Sequence, residues 1–214
     1  MESLCQQINS DPRFTEACQS CINCGVCTAV CPAADYYPYD PRVIVNLVLE
    51  QDEKALEELL SGDTIWYCGQ CMSCKPRCPR GNTPGVLIQI LRSVSQRNGL
   101  FIRSVMGRQQ LAIKRSVGQN ILDTGYCVHP SRIDPDLHPE QGPVWEWMAR
   151  NAGKVYGRFN DHFDQEGPGP LRRISEKSLE ELDRIFEVTG CKRLWHAIET
   201  ESEKYISGKF RKYD

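Results

Sequence analysis

Eight of the twelve cysteines fall into two runs of identical spacing, Cys21-x2-Cys24-x2-Cys27-x3-Cys31-Pro32 and Cys68-x2-Cys71-x2-Cys74-x3-Cys78-Pro79. Three thiolates two residues apart can wrap three corners of one [4Fe–4S] cube in a tight turn. A fourth, followed by a proline that blocks helix continuation, is directed away toward a second cube. The spacing therefore assigns Cys21, Cys24, Cys27 and Cys78 to one cluster, and Cys68, Cys71, Cys74 and Cys31 to another, two [4Fe–4S] clusters in all. Zinc sites pair cysteines across a longer loop and rarely repeat a four-cysteine run ending in Cys-Pro. Twelve cysteines in 214 residues are also too sparse for a disulfide scaffold of this length. The chemistry these residues point to is electron transfer.

Cys5, Cys18, Cys127 and Cys191 stand outside the runs. Cys18-x2-Cys21 extends the first run backward, but using Cys18, Cys21 and Cys24 would leave Cys27 idle and spoil the x3 gap to Cys31. Cys18 reads better as a residue buried near the cluster, and the other three as small buried hydrophobes. A third metal site from Cys127, His129 and His138 lacks a fourth ligand. Trp66 and Tyr67 beside Cys68 read as packing that shields the second cluster from water.

The motifs need elements to hold them, and the periodicity supplies helices. Asp40-Pro41 is an N-cap followed by proline at the first helical position, with Val43, Ile44, Leu47 and Val48 at helical spacing behind it. A second helix runs from Asp52 through Leu56 and Leu60 and stops at Gly62. Thr83-Pro84 starts a third, with Val86, Leu87, Ile90, Leu91 and Val94 on one face and Asn98-Gly99 at its end. Strand signals are weak, so two helices between the motifs favour a mainly α, two-cluster domain over residues 1–100. Residues 101–214 read as an irregular, partly helical extension that contacts a partner. Within it we expect a helix over Phe101–Gln119, an extended Pro-rich arm over 124–143, a short helix over Val144–Ala152 and a linker at Gly167-Pro168-Gly169-Pro170. Two last helices are expected over Ser175–Val188 and Cys191–Ser207, with Leu179, Leu182, Ile185 and Phe186 on the inner face of the first.

Charge is segregated along the chain. Residues 1–63 carry eleven acids and three bases, whereas residues 64–122 carry nine bases and no Asp or Glu. Without a nucleic-acid motif, this block reads as compensation for cluster thiolates and as a docking face for an acidic partner, with Arg80, Arg92 and Arg97 as first candidates. No amino-terminal segment combines a basic start, an apolar stretch and a small-residue cleavage site, and no apolar run approaches the length of a membrane span. A cytoplasmic protein without a membrane span is the expectation.

The stretch Ile65-Trp66-Tyr67-Cys68-Gly69-Gln70-Cys71-Met72-Ser73-Cys74-Lys75-Pro76-Arg77-Cys78-Pro79-Arg80-Gly81, preceded by Asp40-Pro41-Arg42 and its two helices, resembles the C-type subunit of heterodisulfide reductase. The resemblance covers roughly residues 15–100. It implies an α-helical ferredoxin fold with two [4Fe–4S] clusters, relaying electrons between a flavin-containing A-type subunit and a B-type subunit where a disulfide is cleaved or formed. The Pro-rich arm, with His129-Pro130 and His138-Pro139-Glu140-Gln141-Gly142-Pro143, is similar to the version in sulfur-oxidising bacteria. The alternative is the iron–sulfur subunit of another flavin-dependent oxidoreductase, of the succinate- or glycolate-oxidising type.

The chain has no adjacent cysteine pair of the B-type catalytic kind and no G-x-G-x-x-G after a strand. No Ser/His/Asp or Cys/His constellation stands out as a nucleophile with its base. The expected role is a non-catalytic electron-transfer subunit of an oxidoreductase, with potentials set by hydrogen bonds to sulfur, nearby charge and exposure.

Overall fold

The computed structural model describes residues 2–18, 21–158, 164–167 and 171–210, and among these it contains helices and turns but no strand. Contacts divide the chain into two compact units, residues Met1–Arg108 with Ala197–Asp214, and residues Gln109–His196.

The first unit is organised around α6 (Pro84–Arg97). Leu87, Ile88, Ile90, Leu91 and Val94 are each at most 1% exposed, so α6 is apolar on more than one side, as a central helix must be. At about 1.5–3 kcal/mol for each large side chain fully buried, this helix outweighs any single polar contact in the unit. Around it pack α1 (Leu4–Asn9), α2 (Phe14–Cys18), α4 (Pro41–Glu50) and α5 (Glu53–Ser61). The short α3 (Val26–Ala29) lies inside the first cysteine run. The expected helix starts are met: Asp40 caps α4 by accepting from the Arg42 and Val43 amides, and Asp52 caps α5 through the Ala55 amide. Two cross-links fix the packing. The buried Ser95 hydroxyl donates to the Leu60 carbonyl at 2.6 Å, tying α6 to α5. The Glu53 carboxylate accepts from the Leu4 and Cys5 amides at 3.1 and 2.8 Å, using orphan donors at the start of α1.

The single helix expected over Phe101–Gln119 is not formed. A 3₁₀ turn over Leu100–Arg103 ends at Ser104, whose backbone is extended. Asp63 holds the break open, accepting from the Ser104 hydroxyl and from the Met106 amide at 3.1 Å. Short-range periodicity could not register a competitor 40 residues away in sequence. Gly107 follows, where an added Cβ would run into the Phe101 carbonyl and the Trp66 indole.

In the second unit, α7 (Gln110–Ile113) and α8 (Gln119–Thr124) are joined by a π-helical turn over Lys114–Gly118. The expected extended arm is instead a string of single 3₁₀ turns, Pro130–Arg132, Pro135–Leu137 and Pro139–Gln141. Each opens on a proline, whose fixed φ suits a first helical position and whose spacing prevents a longer run. Then come α9 (Pro143–Gly157), longer than expected, and α10 (Glu176–Val188), capped by Ser175. α11 (Cys191–Phe210) starts in this unit, and its residues from Ala197 onward belong to the first. On α10, Phe186 meets Trp195 edge-on at 5.1 Å, but Ile185 is 53% exposed and is not on an inner face. Of the expected Gly167–Pro170 linker, residues 168–170 lie outside the described residues.

Candidate iron–sulfur centres

The two cysteine runs fold alike at the backbone. Asn23 and Gln70, each two residues after the first cysteine, are left-handed with φ of 57° and 53°. Gly25 and Met72, each four residues after it, are left-handed too, at 80° and 58°. Left-handed residues alternating along a tight loop turn successive amides inward, forming a concave nest for an anion. The amides of Asn23 and Gln70 accordingly donate to Cys21 Sγ and Cys68 Sγ, both at 3.4 Å. Asn, Gln and especially Met carry a steric cost in this region, on the order of 1 kcal/mol each, which the loops sustain in matched places.

Each loop is held by a different helix. α4 reaches the first: Arg42 and Asn46 both donate to Asn23 Oδ1, at 3.4 and 2.9 Å, and the Thr28 hydroxyl donates to the cap residue Asp40 at 2.5 Å. Burial works to raise the Asp40 pKa, but Thr28 and the Val43 and Arg42 donors outweigh it and hold the carboxyl below its ordinary range. α6 reaches the approach to the second loop. Arg92 Nε donates to the Ile65 carbonyl at 2.9 Å, and Nη2 to the Trp66 and Cys68 carbonyls at 3.1 and 2.8 Å. Its guanidinium carbon also stands 5.2 Å over the Trp66 ring. Arg92 is therefore committed inside the fold, which corrects its expectation as a docking residue. Trp66 is buried, as its packing role requires.

The chain then crosses. After Cys78, the Thr83 amide donates to the Glu16 and Ala17 carbonyls at 3.0 and 3.1 Å, laying the end of the second run on the segment that leads into the first. After Cys31, Tyr37 stacks on Tyr67 with ring centroids 4.5 Å apart, and the buried Tyr39 phenol lies near the Cys68 side chain and within electrostatic reach of Cys31. Burial, then the Cys68 charge, pushes the Tyr39 pKa well up and keeps the phenol protonated. Cys21, Cys24, Cys27 and Cys78 line one cavity together with Arg42, Arg80 and Asn82. In the second loop, Cys68 and Cys71 both lie close enough to act electrostatically on Cys74.

The donor set fits the cofactor the spacing implies. Two nests of inward amides, each facing thiols, suit a polyanionic thiolate cluster, whose binding removes the thiol protons. Burial pushes the Cys27 and Cys74 thiols up, while the Ser73 hydroxyl and amide pull Cys71 down. Cys24 and Cys71, at equivalent places, are exposed.

The remaining cysteines behave otherwise. Cys18 is fully buried, its thiol pushed up to about 12 by burial and the neighbouring Cys21 charge. Cys5 is pushed up to about 11, by burial and then by Glu53, and its Sγ lies 3.2 Å from the Gln51 carbonyl. Burial also raises Cys191, whereas Cys127 is exposed. Among the described residues no three His, Cys, Asp or Glu side chains form a single-ion site, including Cys127, His129 and His138.

One constellation was not visible in the sequence. Ser116 Oγ lies 2.6 Å from His138 Nε2, and His138 Nδ1 lies 2.9 Å from Glu140. The Ser116 hydroxyl lies 2.7 Å from the Ala112 carbonyl as well, so it is shared between a backbone acceptor and the His138 ring. The group ties the π-helical turn to the 3₁₀ turn over Pro139–Gln141.

Helices alone, carrying paired cysteine loops whose ends cross, define a helical iron–sulfur protein of the dicluster type. Residues 17–82 match the family model described as a 4Fe-4S dicluster domain. Over 189 residues the chain is 36% identical to the C subunit of the ferredoxin:CoB-CoM heterodisulfide reductase of Methanosarcina acetivorans, covering 88% of this chain and 66% of that protein. It is 30% identical to the C subunit of the ferredoxin/F420H2-dependent CoB-CoM heterodisulfide reductase of the same organism, over 64% of this chain and 79% of the relative. The match to the C subunit of the H2:CoB-CoM heterodisulfide,ferredoxin reductase of Methanothermobacter marburgensis is 26% over 90% of both chains. The chain belongs to the family of heterodisulfide reductase C subunits and is an iron–sulfur electron-transfer protein. It spans 66% of the first of these relatives and 90% of the last. Among the described residues no helix is long and apolar enough to cross a membrane.

Proposed function

We propose that this chain relays single electrons between a flavin-containing A-type subunit and a B-type subunit that converts a disulfide and thiols. In this reading Cys21, Cys24, Cys27 and Cys78 hold one [4Fe–4S] cluster, and Cys68, Cys71, Cys74 and Cys31 hold the other. The observation that carries it is the crossing: Cys78 lines the cavity of the first loop, and Tyr39 stands at Cys68 within reach of Cys31. The clusters supply one-electron chemistry at potentials the surrounding protein sets. The chain's own residues do the rest: Arg42, Asn46 and Arg92 fix the loops, Trp66 and Tyr39 exclude water, and exposed Cys24 and Cys71 leave each site an edge toward a partner. Residues beyond 100 contact the partner subunits.

The test is anaerobic reconstitution with an A-type and a B-type subunit. Reduction of the flavin should bleach this chain's visible absorbance, and heterodisulfide with the B-type subunit should restore it. Stoichiometric zinc without labile sulfide, or clusters that neither partner reduces or reoxidises, would sink the proposal.

A further inference from the structure

The two loops bind sulfur with the same backbone device but sit in different electrostatic surroundings. The Asn23 and Gln70 amides donate at equal distances, so their influence on the two sites cancels in any comparison. The first site's helix-borne cation, Arg42, is compensated by Asp40, whose carboxylate lies 3.3 Å away, both side chains are about a third exposed, and Arg80, which also lines that cavity, is exposed to solvent that screens it. Arg92 at the second site is different. Its fork is spent on three carbonyls, the last that of Cys68, and among the described residues it forms no ion pair with a carboxylate. The thiolate that bears on it is Cys68, and the buried Tyr39 phenol lies near the same side chain.

We infer that Arg92, a positioning residue for the second loop, also holds the second site at a higher reduction potential than the first. An added electron deepens the negative charge of a thiolate-bound cluster. A half-buried guanidinium without a carboxylate beside the same cysteine stabilises that charge, since burial weakens solvent screening. An electron entering this chain therefore comes to rest on the site of Cys68, Cys71, Cys74 and Cys31, without a proton or a bond changing hands. The inference rests on the proposed ligand sets, and iron content reports on those separately.

The experiment is a redox titration of the anaerobic full-length holoprotein, followed by electron paramagnetic resonance with iron and sulfide counted for every variant. The wild type should resolve two midpoints. Arg92→Gln should lower the higher one by at least a tenfold fall in its reduction constant, about 59 mV for one electron, and leave the lower one in place. Arg92→Lys, which keeps the charge and loses the fork, should hold the higher midpoint within twofold of wild type. Asp40→Asn, which keeps a good helix cap but frees the Arg42 charge, should raise the lower midpoint and narrow the gap.

Coincident wild-type midpoints would overturn the inference. So would fully loaded Arg92→Gln with neither midpoint moved, or with the lower one moved instead. Should Arg92→Gln load incompletely, Arg92→Lys and Asp40→Asn decide: a collapsed higher midpoint in the first, or an unmoved lower one in the second, refutes the role of charge. Wild-type protein lacking iron and sulfide would count against the cluster reading itself, which keeps the two failures apart.

Discussion

Crossed ligation makes an expectation about pairs of cysteines that single substitutions cannot make. If Cys21 and Cys78 serve one cluster, replacing both with Ala destroys that site and leaves Cys68, Cys71, Cys74 and Cys31 complete. Such protein should retain about four of about eight iron, with about one of two reducible electrons. If Cys21 and Cys31 are replaced, each site is left with three thiolates and neither is whole. Local ligation, with each run serving its own cube, reverses both outcomes: the Cys21/Cys31 pair would spare one site and the Cys21/Cys78 pair would damage both. The structure favours the crossed arrangement, because Thr83 hangs from the Glu16 and Ala17 carbonyls and Cys78 lines the first cavity. The assay is iron and sulfide content after anaerobic purification, with spin quantitation of the reduced protein. A sharp single-centre signal without magnetic coupling is expected from Cys21→Ala/Cys78→Ala. The same signal from Cys21→Ala/Cys31→Ala, with the other pair empty or heterogeneous, would refute the crossing.

Gly107→Ala should destabilise the first unit by about 2–3 kcal/mol, read from chemical unfolding, because its Cβ meets a backbone carbonyl that cannot turn aside. Asp40→Ala removes the cap from α4 and the acceptor for Thr28, and should cost about 1–2 kcal/mol, whereas Asp40→Asn should cost little. Glu53→Ala should loosen α1 by about 1 kcal/mol and raise amide exchange at Leu4 and Cys5 without changing iron content. Reversing the exposed Arg97 to Glu should weaken association with partner subunits at low salt while both clusters stay in place. Normal co-purification of that variant would remove the docking role from this arginine.

The helices that carry the sites were legible where local chemistry decides. Asp40-Pro41, Asp52 with Gly62 and Thr83-Pro84 mark starts and a stop that depend on residues within one turn, and the structure places α4, α5 and α6 there. The helix expected after Phe101 failed because Asp63, distant in sequence, supplies better partners for Ser104 and Met106 than another turn would. Ile185 was misplaced for a related reason, since an amphipathic pattern shows that a face exists and not how wide a neighbour covers it. The cysteine spacing was informative because a cube imposes a fixed geometry on its ligands. Tyr39 and Arg92 carried no comparable signal. The one visible hint was the repeat itself: aligning the runs sets Asn23 against Gln70 and Gly25 against Met72, the four left-handed positions.

The segregated charge also finds its account in the packing. Glu16 pairs with Lys75 at 2.6 Å and Glu57 with Arg103 at 2.8 Å, so acids from the first 63 residues answer bases from the acid-free block. Each pair is exposed on both sides and contributes no more than about 1 kcal/mol, too little to explain the segregation as a source of stability. Its consequence is positional: an acid-free stretch leaves the second run's surroundings without carboxylates of its own. Acids reach that stretch from a distance in sequence, and the contacts they make lie at Lys75, Arg103, Ser104 and Met106. The guanidinium at Cys68 is met by carbonyls instead. A carboxylate beside Arg92 would oppose its field at the second site, so on the inference drawn above the missing acids bear on electron placement.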